Sequence, residues 1–501
     1  MKILRFFIYV LILLLVTPFL LVHYGPPGVA TTSKVALHAL VGYGGGEPDA
    51  ELVREQLSVA DGFSMSLYAT GLGKIRFMRA TEAGDILVSR PRSGEILLLR
   101  RDADRDGLPD QTSVLLSGLT RPHGIDILDG WLYIAESNGV GLVAFDVASG
   151  EIRGEYTRLV DGLGDKGNHW TKTLRAGADG WLYLSSGSTC NVCEESDSQR
   201  ATIMRFKPDG SELTVYASGL RNSVGMDWAP WSNELFATDN GRDLLGDDFP
   251  PCELNKVVEG GFYGWPYINA ATPDPDYGAK LPSNLPANRP PVFEFKAHNA
   301  PLGIRFLQHT PKSGFERTAL VALHGSWNRS VPDGYKVIAL QWQADGSIVE
   351  SDFVSGFLQG DKLLGRPVDV TEASDGSIYI SDDYSGSIYR IVADGNAQSL
   401  VLAATVSSTD ANIGVLDGYT EDKRASLSAK GEDLYQQFNC ASCHNQQTGR
   451  PLKALAKNYN AASLADFFSA PTPPMPAFPL STEQREALAV YLFDRELKAT
   501  K

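Results

Sequence analysis

The chain has 501 residues, 43% of them hydrophobic and 21% charged, a balance that excludes a wholly disordered protein and leaves room for a large domain plus a small one. A formal charge of −15 argues against a nucleic-acid binder, which needs clustered positive charge. Five cysteines are too few to hold a scaffold of this size by disulfides, and 49 glycines suit a turn-rich all-β architecture.

The first element is apolar. Lys2 and Arg5 precede a run from Phe6 to Val22, and Gly25-Pro26-Pro27-Gly28 follows it. This pattern predicts an anchor helix within residues 1–30, with the remainder on the periplasmic side of the cytoplasmic membrane. Cleavage after Ala30 is the alternative, and it would leave a secreted periplasmic protein.

Residues 55–405 read as all-β, with short β-prone runs separated by Asp-Gly, Ser-Gly and Asn-Gly turns. A loose unit recurs at Gly84 to Ser89, Gly130 to Ala135, Gly180 to Ser185, Asn233 to Thr238, Thr318 to Leu323 and Gly376 to Ser381. Six such units predict a six-bladed β-propeller, because one blade cannot bury both of its faces alone. Phe63 to Tyr68 and Ser399 to Leu402 are expected to share a blade and close the ring. A pair of β-sandwiches is the competing architecture.

Within this region Asp102, Asp104, Asp106 and Asp110 set carboxylates around Gly107 like the start of a calcium loop, although Ser113 stands at the usual glutamate position. Cys190 and Cys193 form a Cys-x-x-Cys pair with no histidine after it. The pair reads first as a local disulfide, with a redox pair or half a metal site as alternatives, and Cys252 is left over.

Residues 406–427 read as a linker and 428–501 as a small all-α domain. A helix from Gly431 to Phe438 leads into Cys440-Ala441-Ser442-Cys443-His444. Two thiols about one turn apart form thioethers to haem vinyl groups, and the adjacent imidazole ligates iron. Pro474-Met475-Pro476 follows, and an amphipathic segment from Thr482 to Leu497 closes the domain. The set resembles class I cytochromes c, which implies haem c with Met475 opposite His444 and a role in electron transfer.

The propeller carries its own resemblance. Gly167-Asn168-His169-Trp170, Gly219-Leu220-Arg221-Asn222-Ser223-Val224-Gly225 and Thr238-Asp239-Asn240-Gly241-Arg242 come first. Glu253-Leu254-Asn255, Gly260 to Pro266, His324 to Arg329 and Gly334-Tyr335-Lys336 follow in order. Together they resemble the quinoprotein glucose/sorbosone dehydrogenases, six-bladed propellers that bind pyrroloquinoline quinone (PQQ) on the axial face with calcium beside it. The resemblance implies His169 as the base that removes the substrate hydroxyl proton, with Asn168 where the family has an aspartate. It implies Arg221, Asn222 and Arg366 as contacts of the tricarboxylate cofactor, with His123, Arg329 and Lys336 as further candidates. For calcium it points to the carbonyls of Gly241 and Arg242, helped by Asp248 or Glu253.

The expectation is PQQ-dependent oxidation of a sugar, sugar aldehyde or related alcohol. Electrons would pass to the fused haem and on to a soluble cytochrome or respiratory oxidase. A calcium-dependent hydrolase of lactonase type is one rival, requiring a calcium centred in the pore and no arginine set. The other is a non-enzymatic propeller that binds glycan or protein beside a separate electron-transfer domain.

Overall fold

In the computed structural model the described residues are 27–41, 45–394 except 311 and 361, and, near the C-terminus, 421–438, 440–442, 444, 452, 455, 461–468, 471, 475 and 478–499. The chain divides into two units, Met1–Val401 and Leu402–Lys501.

The runs separated by glycine turns become six sheets of four or five strands, the blades of a propeller, antiparallel except where Gly261–Phe262 adds in parallel to the edge of the third. Their innermost strands are Met78–Ala80, Gly124–Leu128, Leu174–Ala176, Ser223–Trp228, Pro301–Phe306 and Pro367–Glu372, for blades 1 to 6 in order. The second and third strands are buried on both faces, which is why they read as continuous apolar runs, as at Ile86–Arg90, Thr318–Leu323 and Ile378–Asp382. Neighbouring blades share apolar clusters, such as the one joining Leu87 and Ile96 of blade 1 to Ile125 and Val143 of blade 2.

Phe63–Ala69 closes the ring by pairing antiparallel with Ser387–Ala393 as the outer strand of blade 6. The expected partner for this strand was Ser399 to Leu402, which lies outside the described residues. The run through Ile388 and Ile391 is itself the buried third strand, so it already offers the edge that Phe63–Ala69 covers.

The channel is layered. Phe77, Val224, Leu302 and Val368 from blades 1, 4, 5 and 6 form an apolar plug. Further along the same strands runs a belt of alternating charge: Arg79, Asp126, Arg175, Asp227, Arg305 and Asp369, one from each blade in order. Arg79 Nε meets Asp126 at 2.8 Å, and Arg175 Nη2 meets Asp227 at 2.9 Å. Each aspartate also accepts a backbone N–H from the next blade, from Ala176, Phe306 and Met78 at 2.8, 2.9 and 2.9 Å. Buried carboxylates satisfied this way stitch blade to blade.

Two helices precede the propeller: α1 (Pro27–Val41) and α2 (Ala50–Gln56). No described helix is long and apolar enough to cross a membrane, and the apolar run read as an anchor, Phe6 to Val22, lies outside the described residues.

The second unit holds α3 (Glu421–Gln437), α4 (Ala461–Phe467) and α5 (Thr482–Ala499). Helix α3 begins inside the segment read as linker. Its buried face is Leu427, Leu434 and Tyr435, spacing that a helix gathers on one side. Gly431 sits where α3 crosses α5, since a Cβ there would lie 2.1 Å from the carbonyl oxygen of Ala487.

Candidate functional site

The loops before the innermost strands carry the residues singled out in the sequence, and an acid at the end of a second strand holds several of them. Asp239 accepts the backbone N–H of Arg221 at 2.9 Å and that of Asn222. Asp382 accepts the N–H of Arg366 at 2.8 Å, and Glu136 accepts that of Thr120, near His123. Each acid belongs to its own blade, so strand pairing itself aims the preceding loop.

On the side of blades 3 and 4, His169 and Asn222 converge on Gly187, where a Cβ would lie 2.6 Å from His169 Cβ and 2.8 Å from Asn222 Oδ1. His169 Nδ1 lies 2.9 Å from Ser188 Oγ. Burial, then Arg221, then Arg200 pull its pKa down to about 3, so the imidazole is neutral at working pH. Arg200 knits the two arms of this loop through the carbonyls of Gly164, Lys166, His169, Gly187 and Ser188. Arg221 is buried and held by Asn191 and by Asp243 at 2.8 Å. Cys190 and Cys193 form a disulfide, as the spacing suggested.

Across the channel, on blades 5, 6 and 1, Asp383 is bonded by Arg76 at 2.8 Å and His324 Nε2 at 2.9 Å. Burial alone would raise this carboxyl; His324, Arg76 and Arg366 outweigh it and hold it below the usual range. Arg366 is fixed by the carbonyls of His324 and Gly325 at 3.0 and 2.9 Å, and its charge acts on the Asp383 carboxylate. Helix α1 lies against this side: Thr32 bonds the Trp327 carbonyl, Lys74 bonds that of His38, and the His38 ring rests 4.5 Å from that of Tyr384.

Other predicted residues go elsewhere. His123 is fully buried deeper in the channel, its ring 4.4 Å from Phe77, and burial holds its pKa well down. Lys336 pairs with Asp352 and Glu350 on the fourth strand of blade 5. Arg329 binds Asp248 and the carbonyls of Asp247 and Ala297. Arg242 is locked to Asp274 and Asp276, beside Gly241. Glu253 accepts from Ala270 N and Asn255, and faces Asp239 across the strand pair; burial, with that neighbour's charge, raises its carboxyl. Asp102, Asp104 and Asp110 bring carboxylate oxygens within 4.8 Å of one another, without Asp106 in the group. Asp102 also pairs with Arg390 of blade 6 at 3.0 Å. Cys252 is buried among core side chains, and its thiol is pushed up to about 11 by burial.

In the second unit Cys440, His444 and Met475 line one apolar cavity of about 250 Å³, walled by Phe438, Leu464, Phe468 and Leu488 among others. The Cys440–Ser442 turn brings His444 N to 3.1 Å from the Cys440 carbonyl. Cys443, Pro474 and Pro476 lie outside the described residues. A thiol, an imidazole and a thioether on one greasy cavity fit a covalently held haem. On the propeller, Arg221 beside the neutral His169 imidazole and Arg366, Arg76 and Lys74 on the other side make a set of cations that fits a polyanionic cofactor.

Residues 57–252 and 283–394 match the TrAA12-like family profile, and residues 427–492 match that of cytochrome c oxidase, cbb3-type, subunit III. An uncharacterized protein of Borreliella burgdorferi is 32% identical over 361 residues, spanning 68% of this chain and 92% of the relative. The pyrroloquinoline quinone-dependent pyranose dehydrogenase of Coprinopsis cinerea is 25% identical over 422 residues, spanning 69% of this chain but only 56% of that enzyme. The solved PQQ domain of pyranose dehydrogenase from the same fungus superposes with a TM-score of 0.56 at 23% identity, covering 70% of this chain and 99% of the domain. That likeness is one of fold.

Proposed function

The chain belongs to the TrAA12-like family, a six-bladed propeller related to PQQ-dependent sugar dehydrogenases and fused here to a small cytochrome-type domain, and from that premise we propose a PQQ-dependent dehydrogenase. Its substrate would be a sugar, sugar aldehyde or related alcohol. The carrying observation is the neutral His169 imidazole beside Arg221, together with the cations Arg366, Arg76 and Lys74 in the loops of blades 6 and 1.

His169 takes the substrate hydroxyl proton, a role its neutral state permits. Arg221 and Arg366, fixed by Asn191 and by backbone carbonyls, hold carboxylates on opposite sides of the channel mouth, with Asn222 beside His169. PQQ, when bound, supplies a carbonyl carbon that accepts hydride. Calcium belongs beside it through the carbonyls of Gly241 and Arg242, with Glu253 as acidic partner, since a cation relieves the crowding of Glu253 and Asp239.

Cys440, Cys443 and His444 would hold haem c in the second unit, with Met475 as a further donor from the same cavity, and the haem would supply electron transfer. Electrons leave through it to a soluble cytochrome or respiratory oxidase. The apolar run before residue 30 anchors the protein on the periplasmic side of the membrane.

The test mixes the full chain, matured with haem, with calcium, PQQ and a panel of aldoses and sugar aldehydes. Reduction of its own haem at the c-type band, requiring both PQQ and a substrate, supports the reading. Binding of haem without PQQ binding or haem reduction would leave the cytochrome-type domain standing and remove the dehydrogenase.

A further inference from the structure

We propose that the disulfide-closed loop Cys190–Cys193 positions both halves of the blade 3 and 4 site: through Ser188 it holds His169 as the Nδ1–H tautomer, and through Asn191 it fixes the fork of Arg221. The kinetic part of this inference rests on His169 being the base. The tautomer part concerns the chain alone.

Proton counting gives the tautomer. Ser188 Oγ lies 2.7 Å from the Cys190 carbonyl, which only accepts, so the single hydroxyl proton points there. The 2.9 Å contact with His169 Nδ1 then needs a proton from the ring. Nδ1 therefore carries it, and Nε2 keeps the lone pair that a base requires. Ser188 is fully buried, and its own backbone carbonyl is taken by Arg200 at 3.1 Å, so the hydroxyl is held in this role by its surroundings.

The same loop reaches the arginine one residue on. Asn191 O accepts from Arg221 Nε at 2.9 Å, and Asn191 Oδ1 accepts from Nη2 at 2.8 Å. That side-chain oxygen also accepts from Asp243 N at 2.8 Å, while Asn191 Nδ2 donates to Asp243 O at 3.1 Å. Bridging Cys190 to Cys193 restrains the carbonyl that orients Ser188 and the asparagine that orients Arg221 in one step. With both sulfurs in the bridge, and Glu195 engaged by Thr189, this cluster is a brace and not a metal site.

The test is nitrogen NMR on the full chain with 15N-labelled histidine, His169 being assigned by its loss in His169→Gln. Wild type is expected to show a protonated Nδ1 and a bare Nε2 without any cofactor present. Ser188→Ala is expected to move the proton to Nε2 in whole or part, and Ser188→Thr to restore the wild-type pattern. In turnover, Ser188→Ala lowers kcat roughly 10- to 1,000-fold with KM nearly unchanged, because the lone pair is misplaced while binding is intact. Cys190→Ser with Cys193→Ser weakens PQQ binding about tenfold, as Arg221 loses its fixed aim. A wild-type His169 protonated at Nε2 overturns the proposal even if no variant folds, and so does an unchanged tautomer in Ser188→Ala. If PQQ fails to bind at all, the dehydrogenase reading falls while the nitrogen spectra still decide this one.

Discussion

Two histidines in loops at the same end of the blades have opposite surroundings. His169 meets a neutral hydroxyl, Ser188, whereas His324 meets a carboxylate, Asp383, that also binds Arg76. Burial depresses both, to about 3 for His169, helped by Arg221, and to about 4 for His324, helped by Arg366. The difference is in what each ring is free to do. His324 donates to an anion and its carbonyl accepts from Arg366 Nε, so it is part of the frame. His169 keeps a neutral ring whose Nδ1 meets a hydroxyl. A carboxylate beside a histidine therefore does not by itself mark the base.

The largest expected effect breaks this contrast if it is wrong. His169→Gln should lower kcat for substrate oxidation by roughly 10²–10⁴-fold, whereas His324→Gln should change it by less than about tenfold, both followed by haem reduction. Equal losses would assign the base to the other side. Next comes Asp383→Asn, which leaves Arg76 and His324 without their shared anion. Thermal unfolding of the propeller should show a loss on the order of 3 kcal/mol, against little change for Asn168→Ala.

A smaller effect is in pH. Both imidazoles bind protons less readily folded than unfolded, so the unfolded chain takes up more protons between about pH 6.5 and the depressed values near 3 to 4. The stability they contribute is fully present above about pH 6.5 and is lost as pH falls through that window. Denaturant titrations at pH 7 and pH 5 should show it, and the slope should shrink in the His169→Gln, His324→Gln double variant. The smallest effect is calcium at Asp102, Asp104 and Asp110. Chelation should lower the melting temperature by a few degrees, because Asp102 leans on Arg390 of blade 6, the blade that also carries Asp383. Asp104→Asn should abolish the calcium response and leave kcat unchanged, separating the frame from the base.

The fold was legible because each blade repeats one pattern, and the cytochrome-type domain because its motif residues are contiguous. His169, Arg221, Asn222 and Arg366 stand out in the sequence through local motifs. Their supports do not. Arg76 and Asp383 stand 307 positions apart and meet only once the ring closes. Ser188, Asn191 and Arg200 are single polar residues in a loop whose cysteines drew the attention. One signal was present: the acid ending several second strands, Glu136, Asp239 and Asp382, recurs with the repeat and marks which loop it will hold. Lys336 shows the converse, a basic residue in a matched segment whose side chain turns to the fourth strand of its blade.

The belt of Arg79, Asp126, Arg175, Asp227, Arg305 and Asp369 imposes a rule of parity on this propeller. Two kinds of charge can alternate around a closed circle only when the number of places is even. Six blades satisfy that, and the last aspartate finds the first blade waiting. Adding or deleting one blade would seat two like charges side by side in a channel where water does little to screen them. The smallest exchangeable part of this ring is consequently a pair of neighbouring blades, and a seven-bladed descendant would first have to neutralise one of its places.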